Sequence, residues 1–276
     1  MKKRGPELTN AAKPATFEVE AYNERGEMVP TAIAGEHPLT LYLDKREIVT
    51  LMTLGHAPEA LVIGYLRNQR LVDSIDEIES VQVDWETDSA AVVTAHQKEL
   101  TIGKRTVTSG CGQGTVFGDL MEEVDQIQLR KDVLLEDANL FLLLEKVRKH
   151  ETIYKQSGAV HGCALATTAG EILMFVEDVG RHNAVDAIAG FMWLDAIDGS
   201  DKVFYTTGRL TSEMVIKCAQ MRIPFLVSRS GLTHMGHQIA NKVGITMLGR
   251  ASGRHYLAFT GKERLVRSSP QPTELA

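Results

Sequence analysis

Cysteine is scarce in this chain: Cys111, Cys163 and Cys218 are the only three among 276 residues. An odd, sparse set makes no disulfide framework and suits a reducing compartment. None stands in a C-x-x-C pair, so a structural zinc site built from thiolates is not expected. No apolar run approaches the roughly 18–20 residues that span a bilayer. The basic start MKKRGPELTN lacks the apolar stretch of a secretory signal. A cytoplasmic protein with no membrane span is therefore expected. An excess of positive charge is also missing, with 30 basic residues against 36 acidic and a net charge of −6. Duplex nucleic acid is thus not an expected partner, although a local basic pocket remains possible.

The length and the apolar share of 43% leave room for a sizeable core in one large or two medium domains. Residues 1–15 read as a loose arm. Residues 16–130 read as a small α+β unit: alternating strands, a hairpin turning near Asp44–Lys45, and a helix opening at Pro58. Residues 98–118 hold four glycines between Gly103 and Gly114 and read as a loop. Residues 132–150 predict a helix with a wide apolar face, acids early and bases late. From there to 267 strands and helices alternate, predicting parallel pairing with right-handed crossovers in an α/β layered sheet. Residues 268–276 form a polar tail.

The chemistry-bearing residues fall into three groups. In TSGCGQGT (108–115) Cys111 lies between two glycines. Such a segment leaves backbone N–H groups uncovered, where they can stabilise a thiolate or a persulfide anion. Lys104 and Arg105 would add positive potential. EDVGRHN (177–183) follows an apolar strand and opens a helix. Asp178 or Asn183 is expected to cap that helix, with Arg181 and His182 facing a ligand. The third group is the expected carboxyl ends of strands, at 206–209, 228–231 and 249–254, where an α/β sheet gathers ligands. They combine glycine, hydroxyl and arginine: Gly208, Arg209, Arg229, Ser230, Gly231, Gly249, Arg250, Ala251, Ser252, Gly253 and Arg254. Arginine forks, and helix-start N–H groups at Thr211 or Ser212 and at Thr233, point to a phosphorylated or nucleotide-like ligand. Neither G-x-G-x-x-G with a ribose-binding acid nor G-x-x-x-x-G-K-[ST] is present, which disfavours ordinary dinucleotide or triphosphate chemistry. Cys163 and Cys218 read as core. His161 with Cys163 gives H-x-C, but the glutamate and the later P-C-x-x-C of a zinc deaminase are missing, so no metal is expected.

The segments SGCG, VHGCALAT, EDVGRHNAVD, TTGRLTSEMV, PFLVSRSGLT and GITMLGRASGR together resemble the FdhD family of sulfur carriers, or formate dehydrogenase accessory proteins. The resemblance implies a cytidine-deaminase-like core in the C-terminal part, without the deaminase zinc, in a homodimer. It implies that Cys111 takes sulfane sulfur as a persulfide from a cysteine desulfurase. The acceptor would be the molybdenum or tungsten bis-pterin guanine dinucleotide cofactor, destined for apo-formate dehydrogenase. It places cofactor binding on Gly249, Arg250, Ala251, Ser252, Gly253 and Arg254; Arg209, Arg229, Ser230 and His182 join them as candidates from the residue-by-residue reading. Many members carry C-x-x-C in the loop, whereas Gly114 stands at the second position here. Two other readings stay open: a chaperone that holds the cofactor with Cys111 incidental, and a hydrolase or deaminase using metal bound near His161.

Overall fold

The computed structural model describes residues 5–95, 127–150 and 152–267. Cys111, Lys104 and Arg105 lie outside them. The N-terminal part begins with β1 (Glu7–Leu8), then the hairpin β2 (Thr16–Tyr22) and β3 (Met28–Ala34), then the hairpin β4 (His37–Leu43) and β5 (Arg46–Thr53). The second hairpin turns on Asp44 and Lys45, both left-handed at φ 47° and 70°, which matches the right-handed twist of the flanking strands. Helix α1 (Pro58–Asn68) starts at its proline, and β6 (Ile78–Asp84) and β7 (Ser89–Thr94) complete a five-stranded sheet ordered β1-β6-β7-β4-β5. Residues expected as a loose arm are pinned to this unit. Leu8 pairs with Val81, Lys13 N–H donates to Gly55 O at 2.8 Å, and Ala11 N–H donates to Glu59 Oε1 at 2.7 Å.

The second part runs β8 (Leu135–Glu136), α2 (Asp137–His150), α3 (Ile153–Ser157), β9 (His161–Thr167), β10 (Ile172–Asp178), α4 (Arg181–Leu194) and β11 (Lys202–Thr206). It continues with α5 (Ser212–Gln220), β12 (Phe225–Ser228), α6 (His234–Val243), β13 (Thr246–Ser252), β14 (His255–Ala258) and β15 (Leu265–Val266). Six strands order as β10-β9-β11-β12-β13-β14. The central β11, β12 and β13 are parallel, and antiparallel strands flank them. The helix expected over 132–150 starts five residues late. Its first part instead forms β8, which pairs with β15 through Leu135 and Leu265, while Asp137 accepts the Tyr256 hydroxyl at 2.6 Å.

Alternation along the strands gives the six-stranded sheet two buried faces. Cys163, Leu165 and Phe204 join α1, α4, α5, α6 and the five-stranded sheet in one core. Ala164, Ala166, Val203 and Tyr205 face the apolar stripe of α2, formed by Leu140, Leu143, Leu144 and Val147. Helices α1 and α4 cross at two glycines: a Cβ on Gly64 would lie 1.6 Å from Asp186 O, and one on Gly190 would lie 1.9 Å from Ala60 O. Among the described residues no helix is long and apolar enough to cross a membrane.

Candidate functional site

Because β11, β12 and β13 run parallel, their carboxyl ends meet on one edge of the sheet. The backbone there is stitched together. Ser228 Oγ donates to Gly208 O at 2.6 Å, Leu210 N–H donates to Gly231 O at 3.0 Å, and Arg250 N–H donates to Ser230 O at 2.9 Å. At the β13–β14 corner the register slips between Gly249 and Ser252, with Arg250 left-handed at φ 53°. A bulge of this kind re-aims the strand end.

A groove of about 560 Å3 opens between that corner and α2. One wall is apolar, from Ala138, Phe141, Leu142 and Leu144; the other is Tyr205, Ala251, Ser252 and Gly253, with Arg148, Arg229 and Arg254 supplying cationic heads and Glu145 an acid. Gly253 sits at φ 58° with open space where a Cβ would be, so its backbone is accessible to a ligand. The Lys149 ammonium, 2.7 Å from Glu145 Oε1, holds that carboxyl below its ordinary range. An apolar wall opposite arginine forks suits a ligand with an aromatic part and an anionic part.

A second cavity of about 380 Å3 shares Arg229 with the first and is lined by Tyr154, Val160, His161, Val179 and Thr207. The Arg229 guanidinium lies 5.0 Å from the centre of the Tyr154 ring. His161 Nδ1 lies 3.2 Å from Thr207 Oγ1. Burial, and then the charges of Arg181, Arg229 and Arg209, lower the pKa of His161.

Of the residues expected to bind, Arg229, Ala251, Ser252, Gly253 and Arg254 come together on the larger groove. Gly249, Arg250 and Ser230 are not on its lining: Gly249 is buried, and Arg250, an exposed residue, donates its N–H to Ser230 O. Arg209 is exposed and acts on His161 through its charge. His182 is 3% exposed and off the lining of both cavities, with Nε2 3.2 Å from Glu213 Oε2, near enough for ion pairing but not aligned as a hydrogen bond.

Nor does Asp178 or Asn183 cap α4, whose N-cap is Gly180. Asp178 instead ties the two sheets together. Its Oδ2 accepts Thr53 Oγ1 at 2.6 Å and Leu54 N–H at 3.1 Å, and its Oδ1 accepts Gly180 N–H at 3.1 Å and Asn183 Nδ2 at 2.8 Å. Glu177 takes backbone N–H groups of Thr152, Ile153 and Tyr154 at the start of α3. Cys163 and Cys218 are fully buried; burial pushes the Cys163 thiol up to about 12 and the Cys218 thiol well above its usual value. Among the described residues no three His, Cys, Asp or Glu side chains gather to hold a metal ion.

The site residues that sequence reasoning passed over lie on α2. Ala138, Phe141, Leu142, Glu145 and Arg148 recur at helical spacing, a second stripe beside the core stripe.

Residues 34–266 match the model of the FdhD/NarQ family. The chain belongs to that family. A curated relative from Listeria innocua serovar 6a, named sulfur carrier protein FdhD, is 29% identical over 265 residues, covering 94% of this chain and all of the relative. A relative of the same name from Shouchella clausii is 31% identical over 246 residues, covering 86% and 91%. Another of that name, from Sulfurisphaera tokodaii, is 30% identical over 251 residues, covering 88% and 95%. A crystal structure of a candidate formate dehydrogenase accessory protein from Desulfotalea psychrophila superposes with a TM-score of 0.75 at 26% identity, covering 92% of this chain and all of that one. The mixed α/β architecture with several sheets is thus one this family shares.

Proposed function

We propose that this protein is a sulfur carrier serving formate dehydrogenase in the cytoplasm. In this reading the Cys111 thiolate attacks the outer sulfur of a desulfurase persulfide, the desulfurase thiolate leaves, and Cys111–S–S⁻ results. The acceptor is the molybdenum or tungsten bis-pterin guanine dinucleotide cofactor, which is cargo on its way to apo-formate dehydrogenase. Discharge of the outer sulfur as sulfide needs two electrons. With Gly114 in place of a second loop thiol, an outside thiol supplies them by forming a mixed disulfide with Cys111.

The observation that carries this reading is the larger groove. Arg229, Ser252, Gly253 and Arg254 oppose the apolar face of α2 there, an arrangement suited to a base on one side and phosphates on the other. The names of the relatives support the sulfur role. We further read the C-terminal layering as cytidine-deaminase-like and the working unit as a homodimer.

The test is mass spectrometry after incubation with a cysteine desulfurase and cysteine. One added sulfur, about 32 Da, is expected on Cys111 alone. Cys163 and Cys218 should stay unmodified, because their buried thiols form little thiolate. An adduct that persists in Cys111→Ala refutes persulfide carriage at this residue. Gly114 favours one competing reading, a cofactor-holding chaperone. It requires Cys111→Ala to support formate dehydrogenase maturation while Arg254→Ala does not.

A further inference from the structure

Among the described residues Arg229 is the one charged side chain on the smaller cavity, and its guanidinium already lies against the Tyr154 ring, 5.0 Å from the centre. The rest of the lining is an aromatic ring, an imidazole, a hydroxyl, two valines and two small residues. The volume, about 380 Å3, falls at the low end of the roughly 300–1,000 Å3 of small-molecule sites. A lining with so little free charge suits an uncharged guest.

Three parts of the chain fix its polar groups. Buried Glu177 accepts Ile153 N–H at 3.0 Å and Tyr154 N–H at 2.9 Å, which sets the start of α3 and with it the Tyr154 ring. A guanidinium laid against an aromatic ring makes a flat wall. His161 opens β9, and Thr207 follows β11. Thr207 Oγ1 accepts Gly162 N–H at 3.1 Å, so its own proton can go to His161 Nδ1 at 3.2 Å. With that bond made, neutral His161 carries its proton on Nε2, as a donor. Among the described residues no acceptor meets this N–H, and the ring lines the cavity. Burial, and then the charges of Arg181, Arg229 and Arg209, favour the neutral ring, and the same charges repel a cationic guest. Gly158, left-handed at φ 69° with open space where a Cβ would be, adds no bulk to the rim.

We propose that this cavity binds a neutral, planar heterocycle, which lies against Tyr154 while a ring carbonyl or ring nitrogen accepts the Nε2–H of His161. The site stands on the lining alone. Its assignment to a pterin end of the cofactor, with the nucleotide in the larger groove across Arg229, rests on the reading given under Proposed function.

The probe is pterin itself, 2-amino-4-oxopteridine, followed by its fluorescence as the full chain is added at pH 7.5. Saturable binding is expected. Tyr154→Leu should weaken it about tenfold, the worth of a base stacked on an aromatic side chain. Tyr154 is 37% exposed, so this variant tests the ring without opening the core. His161→Phe keeps a ring but removes the donor and should weaken pterin about fivefold. His161→Gln returns an N–H and should recover most of that loss, a split that a merely structural ring would not show. Leu142→Ser, on the larger groove, should leave pterin binding as it was. No binding by the parent overturns the proposal, as does binding unchanged in Tyr154→Leu. Loss in Leu142→Ser without loss in Tyr154→Leu places the ring in the larger groove and overturns it too. Equal binding by His161→Phe and His161→Gln removes the imidazole from the site and refutes the proposed contact. Guanosine diphosphate binding and the Cys111 persulfide mass report the earlier reading separately. Pterin bound at Tyr154 without either of them supports the heterocycle site and removes only its assignment to the cofactor.

Discussion

Asp178→Asn is the substitution that most directly tests how the two sheets hold the candidate site in place. The carboxylate accepts four bonds, two from the end of β5 through Thr53 and Leu54 and two from the start of α4 through Gly180 and Asn183. An amide keeps one accepting oxygen. Its least costly placement puts that oxygen toward Gly180 and Asn183 and the NH2 group toward β5. The Thr53 hydroxyl can then turn to accept, but the buried Leu54 N–H is left without a partner. A stranded buried donor costs about 1–3 kcal/mol, and each remaining bond weakens by about 1 kcal/mol once the acceptor is neutral. Relief from burying a charge offsets part of this. The net loss is about 2–4 kcal/mol, which for a chain of this size lowers Tm by about 5–15 °C. Thermal unfolding followed by circular dichroism at pH 7 measures it. A variant within about 0.5 kcal/mol of the parent, the range of a neutral surface change, would show that this carboxylate is not the tie between the sheets.

Two other consequences are open to measurement. Gly64→Ala forces α1 off α4, because its Cβ would overlap Asp186 O, and overpacking at about 3 kcal/mol outweighs a helix-propensity gain of about 1 kcal/mol. Urea unfolding should show a net loss of about 2 kcal/mol, with Gly64→Ala/Gly190→Ala costing less than the sum of its parts, because both residues serve one crossing; additive losses would count against a shared crossing. The third concerns pH. His161 has its pKa lowered in the folded protein, so below its ordinary value of 6.5 the unfolded chain takes up the proton more readily and the folded state loses ground. His161→Gln should therefore gain on the parent in Tm as pH falls from 7.5 to 5; parallel curves would refute the assignment.

Local chemistry made much of the fold legible. The Asp44–Lys45 turn, the proline start of α1 and the alternation of strand and helix after residue 160 all follow from residue type and spacing. Long-range partners were less visible. Residues 132–136 look helical until β15, 130 residues on, draws Leu135 into a strand pair. EDVGRHN reads as a binding segment because it is polar, yet Glu177 and Asp178 are bound to Tyr154 and Thr53, and no property of the heptapeptide reveals that. The strand-end arginines were legible because parallel strands must finish on one edge, whereas the α2 wall was hidden among leucines that also serve the core. His161 invited a metal reading from its local H-x-C. Its surroundings are instead set by Arg181, Arg209 and Arg229, brought to it by three different parts of the chain. The segment around Cys111 lies outside the described residues, so its role rests on sequence and on family.

Neighbouring buried charges show that this fold does pair a cation when pairing is all that is required. Lys217, 2% exposed, lies 2.8 Å from Asp186 Oδ2 and 3.6 Å from Glu213 Oε1, and Asp186 receives a further bond from Asn68 at 2.7 Å. His182 has Glu213 beside it. Arg181 is adjacent in sequence to His182 and nearly as buried, and among the described residues no carboxylate lies within ion-pair distance of it. A structural cation in this setting would be expected to have an acid of its own, because leaving a buried charge unpaired is strongly destabilising. Of the Arg181 side-chain nitrogens only Nε is buried without a partner, so Lys217 is the cation that the core encloses and pairs fully, and Arg181 is not. A chain with net charge −6 can still present cationic heads on its larger groove, those of Arg148 and Arg254, because some of its acids neutralise Lys217 inside the helix layer.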